Sequence, residues 1–345
     1  MAKGISPLIS TVIVIMMVVA SISMVLFIGR PTIDKAIEAS VVNEASLNMK
    51  AIDTAIKEVA SEGVQSSRTV TFKVSDGSYR IVNGSGVLFE KELLQPVYSF
   101  NTITFDGYVK SAAGVNPLGL IGFWKFDEGG GSVANDSSGN GNSGTISGTT
   151  WTTGKFGNAL NFNGSSGNYV NVSVIKPNGT YSVSAWVYKN SITAHQYIFD
   201  ARTSDTVGTG YLYWDYTTVT LHYSSGGASY VDGVTTNILG SGAWHYVVVS
   251  GITLNITSNF VIGSRYSKEI SWNGTIDEVR IYNRALSASE IKDDYKADPN
   301  HYYIALDYDR IQVIGTDIWQ KGNQKLCIEK IGETGNKAVV EVRTC

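Results

Sequence analysis

The sequence contains few charged residues, cysteines and histidines. Only 17% of the 345 residues are charged, and the net charge is -3. Because no basic stripe is present to neutralise phosphates, nucleic acid is excluded as a partner. The histidines lack the His-x-x-x-His spacing that is typical of a metal site. They are His195, His222, His245 and His301.

Catalytic motifs are also lacking. The chain has no Gly-x-Ser-x-Gly motif and no Walker-type phosphate loop. Asp277 and Glu278 are adjacent, and neighbouring residues on a strand point to opposite faces of the sheet. These two carboxylates are therefore not expected to act as a pair on one substrate. We predict that the protein is not an enzyme.

The remaining composition is typical of an extracellular β protein, with 36 glycines and 19 tyrosines. Cys327 and Cys345 are expected to form a disulfide if the protein is exported, the alternative being two free thiols. Asn-x-Ser/Thr sequons indicate glycosylation where their loops are exposed, although such triplets also arise by chance. The sequons begin at Asn83, Asn135, Asn163, Asn171, Asn178, Asn255 and Asn273.

The first thirty residues form an apolar segment, and no charged side chain occurs from Ile5 to Gly29. A helix of this length spans about 36 Å, enough to cross the hydrocarbon core of a membrane. Such a segment must lie in lipid, be cleaved off, or be buried against copies of itself. The segment lacks an Ala-x-Ala cleavage site after the apolar run, which an ordinary secretory signal would have.

The residues before the apolar run carry a resemblance to a known family. Lys3-Gly4 followed by Ile5-Ser6-Pro7 resembles the class III signal of archaeal type IV pilins. The resemblance implies that residues 1–4 are a leader, that a prepilin-peptidase-like enzyme cuts between Gly4 and Ile5, and that pilus assembly machinery polymerises the mature chain. Before assembly the helix would lie in the membrane. The alternative is a plain membrane anchor.

An amphipathic pattern follows the apolar run and ends near Gly63. Apolar residues recur at spacings of three and four, from Ile33 and Ile37 through Val41 to Val59. Residues 5–63 are therefore predicted to form one long stalk helix, hydrophobic and then amphipathic. Short strands then follow in 64–116, with a hairpin predicted at Asp76-Gly77 and a further turn at Asn83-Gly84, and similar strands recur in 298–345. These two segments are predicted to share one small β-sandwich pilin head.

The segment between them, 117–297, carries a second and longer resemblance. Its motifs are similar, in order, to those of LamG-like, concanavalin A-type jelly-roll domains. The motifs are Gly122-Phe123-Trp124, Gly154-Lys155-Phe156-Gly157, Ser184-Ala185-Trp186-Val187, Trp244-His245-Tyr246 and Ile276-Asp277-Glu278-Val279-Arg280-Ile281-Tyr282. The resemblance implies a jelly roll whose first and last strands are neighbours, so that it can be inserted into a loop of the head. The hairpin that usually follows the Trp-His motif is reduced to residues 250–259.

The sequence therefore predicts a mainly β fold with a long N-terminal α-helix, a small β-sandwich head and an inserted LamG-like β-sandwich jelly roll. LamG-like domains often bind Ca²⁺ at one rim, and calcium needs six to eight oxygen ligands. The resemblance suggests that carboxylate and amide oxygens converge on such an ion. The alternative is ordinary turn chemistry, because Asp and Asn bond their own backbone in turns. The candidate ligands are Asp127, Asp136, Asn140, Asn142 and Asp277.

A second candidate site is the aromatic stretch from Gly210 to Tyr216. On a strand, Tyr211 and Tyr213 share one face, and Leu212 and Trp214 share the other. One face should belong to the core, and the other could stack on sugar rings. Packing within the sheet is the alternative use of these aromatic side chains.

Together these features predict a structural subunit of an extracellular archaeal type IV pilus-like filament. It would polymerise with copies of itself through the Ile5–Ile28 helix and display an adhesive LamG-like domain that binds surface glycans or proteins. One alternative is a membrane-anchored surface lectin that does not polymerise. A secreted glycan hydrolase is a third hypothesis, although the Glu-x-Asp-x-x-Glu strand of hydrolases with this fold is missing.

Overall fold

The computed structural model describes most of the chain. The described residues are 7–24, 30–94, 103–106, 109–173, 175, 178–190, 194–202, 204, 210–224, 226–255, 259–296, 301–315, 318–319 and 321–345. The predicted processing residues Gly4 and Ile5 lie outside them.

Three helices and 25 strands are present in these residues. The helices are α1 (Pro7–Met24), α2 (Arg30–Ser61) and α3 (Ala288–Lys296). The strands are β1 (Ser67–Val74), β2 (Ser78–Val82), β3 (Gly86–Glu92), β4 (Ile103–Asp106), β5 (Val109–Ala113), β6 (Leu120–Trp124), β7 (Val133–Ala134), β8 (Gly144–Ser147), β9 (Thr150–Thr153), β10 (Asn158–Asn163), β11 (Tyr169–Val172), β12 (Asn178–Lys189), β13 (Gln196–Asp200), β14 (Tyr211–Asp215), β15 (Thr220–Tyr223), β16 (Ala228–Val231), β17 (Val234–Thr235), β18 (Trp244–Asn255), β19 (Phe260–Ile262), β20 (Asn273–Tyr282), β21 (His301–Asp307), β22 (Ile311–Ile314), β23 (Ile318–Trp319), β24 (Gly322–Thr334) and β25 (Lys337–Thr344).

The two N-terminal helices differ in how they are covered. In α1 the large apolar side chains from Val12 to Met24 are 40–65% exposed. In α2 the apolar stripe is buried on the β head from Val41 to Val59, as its spacing predicts. Ile33 and Ile37, which the same pattern includes, lie beyond the head and are exposed. No helix within the described residues combines the length and the apolarity that a membrane crossing requires.

Two sheets of the head combine strands from both ends of the chain. One has the order β1-β24-β25-β22, and the other β23-β2-β3-β21-β5-β4. The predicted hairpin at Asp76-Gly77 is wrong, because β1 and β2 lie in different sheets, whereas β2 and β3 pair across the Asn83-Gly84 turn. Cys327 on β24 forms a disulfide with Cys345, as predicted.

Residues between these strands form a jelly-roll sandwich. Its larger sheet has the order β17-β16-β18-β12-β20-β10-β9, with β6 also paired to β20. The facing sheet has the order β15-β14-β13-β19-β11-β8-β7. Trp124 on β6 lies opposite Val279 on β20, so the first and last strands are neighbours as expected. The short β16–β17 hairpin, upstream of the Trp-His motif, forms one edge of the larger sheet. The domain boundaries stated above stay a prediction.

The jelly roll and the head meet around α3. Ser287 and Glu290 form a capping box at its first turn: the Ser287 N–H donates to Glu290 Oε2, and the Glu290 N–H donates to Ser287 Oγ. Glu290 also pairs with Arg284 of the jelly roll at 2.9 Å and with Arg80 of the head at 3.3 Å. This carboxylate therefore links the two parts of the molecule.

Candidate functional site

Strand β14 places two tyrosines on the outer face of the seven-stranded sheet. Leu212 and Trp214 are buried in the core between the sheets, while Tyr211 and Tyr213 are only half-buried on the opposite side of the strand. The alternation follows from the two-residue period of a strand. The predicted division of this stretch into a core face and an outer face is therefore present in the structure.

Further aromatic side chains from neighbouring strands join these tyrosines. Tyr213 lies opposite Tyr197 on β13 and His222 on β15, with ring centroids 5.1 and 5.3 Å from its own. The Tyr211 ring is 5.8 Å away along the same strand, and His195 meets Tyr213 edge-on at 5.6 Å. We call Tyr197, Tyr211, Tyr213, His195 and His222 together the tyrosine surface.

A buried ion pair fixes one end of the tyrosine surface. The Asp200 carboxylate is fully buried and accepts hydrogen bonds from Arg202 at 2.6 to 3.1 Å. The guanidinium lies 4.5 Å from the centre of the Tyr211 ring and donates to the Tyr197 hydroxyl. Burial opposes the charge of Arg202, but its hydrogen bonds with Asp200 raise its pKa. Arg202 therefore stays charged and holds both rings in place.

The other end contains a carboxylate between two imidazoles. Asp215 Oδ1 lies 3.5 Å from His195 Nδ1, and its Oδ2 lies 3.6 Å from His222 Nε2. Hydrogen bonds from Thr217 lower the pKa of Asp215. Burial raises the pKa of the Tyr213 phenol, so Tyr213 stays a neutral hydroxyl. The result is an aromatic surface bordered by hydrogen-bonding groups, which is a common composition of ligand sites.

A polar cleft adjoins the tyrosine surface at His195. Its volume is about 340 Å³, and it is formed by residues 163–165, 194–196, and 269–271 with Asn273. Because these three segments are distant in sequence, no local motif indicates the cleft. Arg202 and His195 were likewise not expected from the sequence, and only their position relative to β14 relates them to the tyrosines.

Three of the predicted calcium ligands instead form a hydrogen-bonded turn. Asp136 accepts from the backbone N–H groups of Phe123, Ser138 and Asn142 at 2.8 to 3.0 Å. Asn140 Nδ2 donates to the Leu120 carbonyl, and Asn142 Nδ2 donates to the Ile121 carbonyl. These contacts are the turn chemistry considered as the alternative.

The other two predicted ligands contact a different segment. Asp127 Oδ1 accepts from the Asn158 N–H, and Asp277 Oδ2 accepts from the Phe156 N–H. Asp127 also pairs with Lys125 at 3.0 Å. Within the described part of the chain, no three His, Cys, Asp or Glu side chains are grouped so as to hold a metal ion. Calcium binding stays a prediction.

The expectation that Asp277 and Glu278 point to opposite faces is wrong. A bulge interrupts β20 between Asp277, which lies opposite Trp186, and Arg280, which lies opposite Ser184. Within this bulge, Glu278 adopts a φ of 51°. Glu278 therefore lies on the same face as Arg280, to which it is hydrogen-bonded at 3.0 Å. Burial raises the pKa of Glu278 and raises that of Asp277 to about 8. Both carboxylates are fully buried.

The sequons differ in exposure. Asn83, Asn135 and Asn163 are exposed, whereas Asn171 and Asn273 are partly buried on strands. For Asn178 and Asn255 the structure describes only a backbone position in a strand. Glycosylation is therefore best accommodated at Asn83 and Asn135, because Asn163 lines a polar cleft and its Oδ1 accepts from the Ser165 N–H. Glycosylation stays a prediction at all seven positions.

Comparison with known proteins identifies the domain type. Residues 250–292, from β18 into α3, match the Laminin_G_3 family model, which is described as the concanavalin A-like lectin/glucanases superfamily. No curated protein matches the chain. The chain thus contains a concanavalin A-like jelly-roll domain, within a fold that is mainly β-sandwich.

Several solved structures are similar to about half of the chain. Domain 4 of the arabinanase AbnA from Geobacillus stearothermophilus, solved with arabinotriose, is 23% identical over 51% of this chain and 98% of that chain, with a TM-score of 0.38. Trypanosoma rangeli sialidase is 21% identical over 53% of this chain and 33% of its own, with a TM-score of 0.39. The binding domain of Paraclostridial Mosquitocidal Protein 1 is 14% identical over 51% and 52%, with a TM-score of 0.35. This chain thus spans a third of the sialidase. These TM-scores are low, and the similarities therefore carry no information about the function of this chain.

Proposed function

We propose that the jelly-roll domain is a glycan-binding module and that the tyrosine surface is its binding site. The supporting observation is the pair of partly exposed rings, Tyr211 and Tyr213, 5.8 Å apart on an outer sheet face. Flat aromatic rings offer apolar contact at a low cost in conformational entropy, and the nearby Arg202, Asp215 and histidine groups offer hydrogen bonds. Because Arg202 is already held by Asp200, the site is ordered before a ligand arrives.

Alanine substitutions of the two rings test this proposal. Tyr211→Ala and Tyr213→Ala should each weaken glycan binding by about tenfold or more, because each removes one stacking ring. Tyr188→Ala is the matched control, since Tyr188 is partly exposed on the other sheet and contacts Trp244. Binding to a glycan array is the measurement. Equal binding by all three variants and the parent would contradict the proposal.

For the N-terminal part we propose polymerisation through α1, which makes the protein a subunit of an extracellular, pilus-like filament. The supporting observation is the exposure of apolar side chains along α1, from Val12 to Met24, in a single chain. An apolar surface of this extent needs a cover, and helices of neighbouring copies have matching chemistry. The head and the jelly roll would then lie on the outside of the filament.

Processing and assembly can be tested separately. Mass spectrometry of the native protein should find a chain that begins at Ile5, and electron microscopy should find filaments. Gly4→Val should leave the leader attached and prevent assembly. A native chain that retains Met1 or Ala2 would refute processing. A processed or unprocessed chain that stays in membranes as single copies would instead support the anchored lectin.

We further propose that the domain binds glycans without cleaving them. Asp277 and Glu278 lie on one face, but both are fully buried and neither lines the polar cleft beside the tyrosine surface. Incubation with bound oligosaccharides should release no new reducing ends. Release that disappears in Glu278→Gln, with binding retained, would support the hydrolase hypothesis instead.

Calcium is retained as a separate proposal for Asp127 and Asp277, whose carboxylates both contact the segment 154–158. Amide and carbonyl oxygens of that segment would have to complete the ligand set. If calcium binds there, chelation should lower the melting temperature and Asp127→Asn should abolish that response. An unchanged melting temperature after chelation would exclude the site.

A further inference from the structure

The polar cleft continues the tyrosine surface without a break. His195 lines the cleft and also contacts the ring of Tyr213, and the Tyr213 ring in turn contacts Tyr211. The centroid separations from Tyr211 to Tyr213 and from Tyr213 to His195 are 5.8 and 5.6 Å. The Tyr211 ring, the Tyr213 ring and the cleft are therefore three adjacent positions that a ligand can contact. The cleft volume of about 340 Å³ lies at the small end of ligand sites, which suits one sugar unit.

Hydrogen bonds fix the polar groups of the cleft in advance. Gln196 Oε1 accepts from the Asn273 N–H at 3.1 Å, and Asn163 Oδ1 accepts from the Ser165 N–H at 2.9 Å. Ser271 Oγ donates to Ser264 Oγ at 3.1 Å. The first of these bonds joins two segments that are far apart in the sequence, and the other two fix local turns, so the wall of the cleft is held in one shape. A fixed polar wall favours a ligand with several hydroxyl groups.

The charges of this path disfavour acidic ligands. Glu269 is an exposed carboxylate in the cleft, and the described residues that line the cleft include no lysine or arginine. On the tyrosine surface the charge of Arg202 is balanced by Asp200. A uronate or sulfate group would thus meet a negative charge without an available cation.

From these observations we propose that the cleft is a subsite next to the tyrosine surface and that the ligand is a neutral oligosaccharide of three or more units. One unit would stack on Tyr211, the next on Tyr213, and the third would enter the cleft beside Glu269. The proposal rests on the proposed glycan-binding function and adds its substrate class. A single terminal sugar would contact only one of these three positions.

A glycan array whose sugars differ in chain length and charge tests this proposal. It would carry glucose, galactose, mannose and N-acetylglucosamine as mono-, tri- and hexasaccharides, together with glucuronic and galacturonic acid oligomers. With the full-length chain, one neutral series should gain about tenfold or more in affinity from the monosaccharide to the trisaccharide, with little further gain to the hexasaccharide. Equal affinity for all lengths, or a preference for the uronates, would overturn the proposal.

Two variants locate the effect in the cleft. Ser165 is exposed at the cleft, so Ser165→Trp should block it and remove the gain with length while monosaccharide binding persists. Glu269→Lys should raise uronate binding about tenfold relative to neutral sugars, whereas Asp309→Lys, at an exposed position in the head, should not. Unchanged length and charge preferences in both cleft variants would contradict the proposal.

These outcomes separate the subsite from the proposed function. If binding is lost in Tyr211→Ala but does not depend on length, the tyrosine surface is a glycan site and the cleft is not part of it. If no sugar of any length binds, the glycan-binding function itself is refuted. If sugars bind but the tyrosine variants bind them equally well, the tyrosine surface is not the binding site.

Discussion

The outer faces of the two jelly-roll sheets carry similar side chains in different surroundings. On the eight-stranded sheet, Trp186, Tyr246 and Tyr282 are buried, and α3 lies over them with Tyr295 stacked on Trp186 at 5.7 Å. On the seven-stranded sheet, no helix of the described residues lies over Tyr211 and Tyr213, and both side chains are partly exposed. The same aromatic residue types therefore form a core layer on one face and an accessible surface on the other.

The ionic groups of the two faces differ in the same way. Arg280 is fully buried, is hydrogen-bonded to Glu278 and lies 3.8 Å from Asp294, whose carboxylate also accepts from the Tyr246 and Tyr282 hydroxyls. Arg202 pairs with a buried Asp200 but lies beside the partly exposed ring of Tyr211 on the tyrosine surface. What covers a face decides whether its polar network serves stability or recognition.

The largest expected effect is the loss of Arg280. Arg280→Met should destabilise the jelly roll by about 3–5 kcal/mol at neutral pH, because Glu278 and Asp294 would remain buried without their cation. Chemical denaturation is the measurement. Burial raises the pKa of both carboxyls, so the cost should shrink as pH falls and they protonate.

Arg68→Met is the control for that variant. Arg68 pairs with Glu58 and Glu62 at an exposed position on the head, and an exposed pair contributes little to stability. If both variants lost a similar free energy of unfolding, the buried ionic network of the covered face would contribute no more than an exposed ion pair.

A stabilising change is expected at Asp277 on the covered face. Its pKa is raised by burial to about 8, above the ordinary value of 3.8. The stability that it contributes is complete below pH 4 and is lost as pH rises through 8. Asp277→Asn, which mimics the neutral acid, should match the parent near pH 4 and exceed it by on the order of 2 kcal/mol at neutral pH.

Denaturation measured from pH 4 to 9 tests this prediction. A parent whose stability instead rises over this range, with Asp277→Asn less stable at pH 8, would mean that Asp277 is ionised in the folded protein. Such a result would favour the calcium proposal, since a bound cation would lower the pKa of Asp277.

The elements that local patterns determine could be predicted from the sequence. The spacing of Val41 to Val59 predicts the buried stripe of α2, and Ser287 and Glu290 predict the start of α3. Alternation predicts that β14 has one core face and one outer face. Each of these depends on residues within a few positions of one another. The disulfide was predictable because the chain has only two cysteines.

Features that depend on distant pairing could not be predicted. The bulge at Glu278 uses a positive φ at a residue other than glycine, so no sequence signal marks it, and it reverses the face on which that carboxylate lies. The turn between β1 and β2 has hairpin residues, yet β24 pairs with β1 in place of β2. Whether a neighbouring segment covers Tyr211 or Trp186 is likewise a property of the whole fold.

The smallest expected change in stability is at the open face. Tyr211→Ala should alter the free energy of unfolding by less than about 1 kcal/mol, because its ring is partly exposed and contacts Arg202 and Tyr213 on the outer face. Denaturation of this variant beside Arg280→Met measures the contrast between the two faces. If Tyr211→Ala destabilised the jelly roll as much as Arg280→Met, the tyrosine surface would be part of the structural core. Lost glycan binding in that variant would then report unfolding, and only a variant such as Ser165→Trp could test recognition.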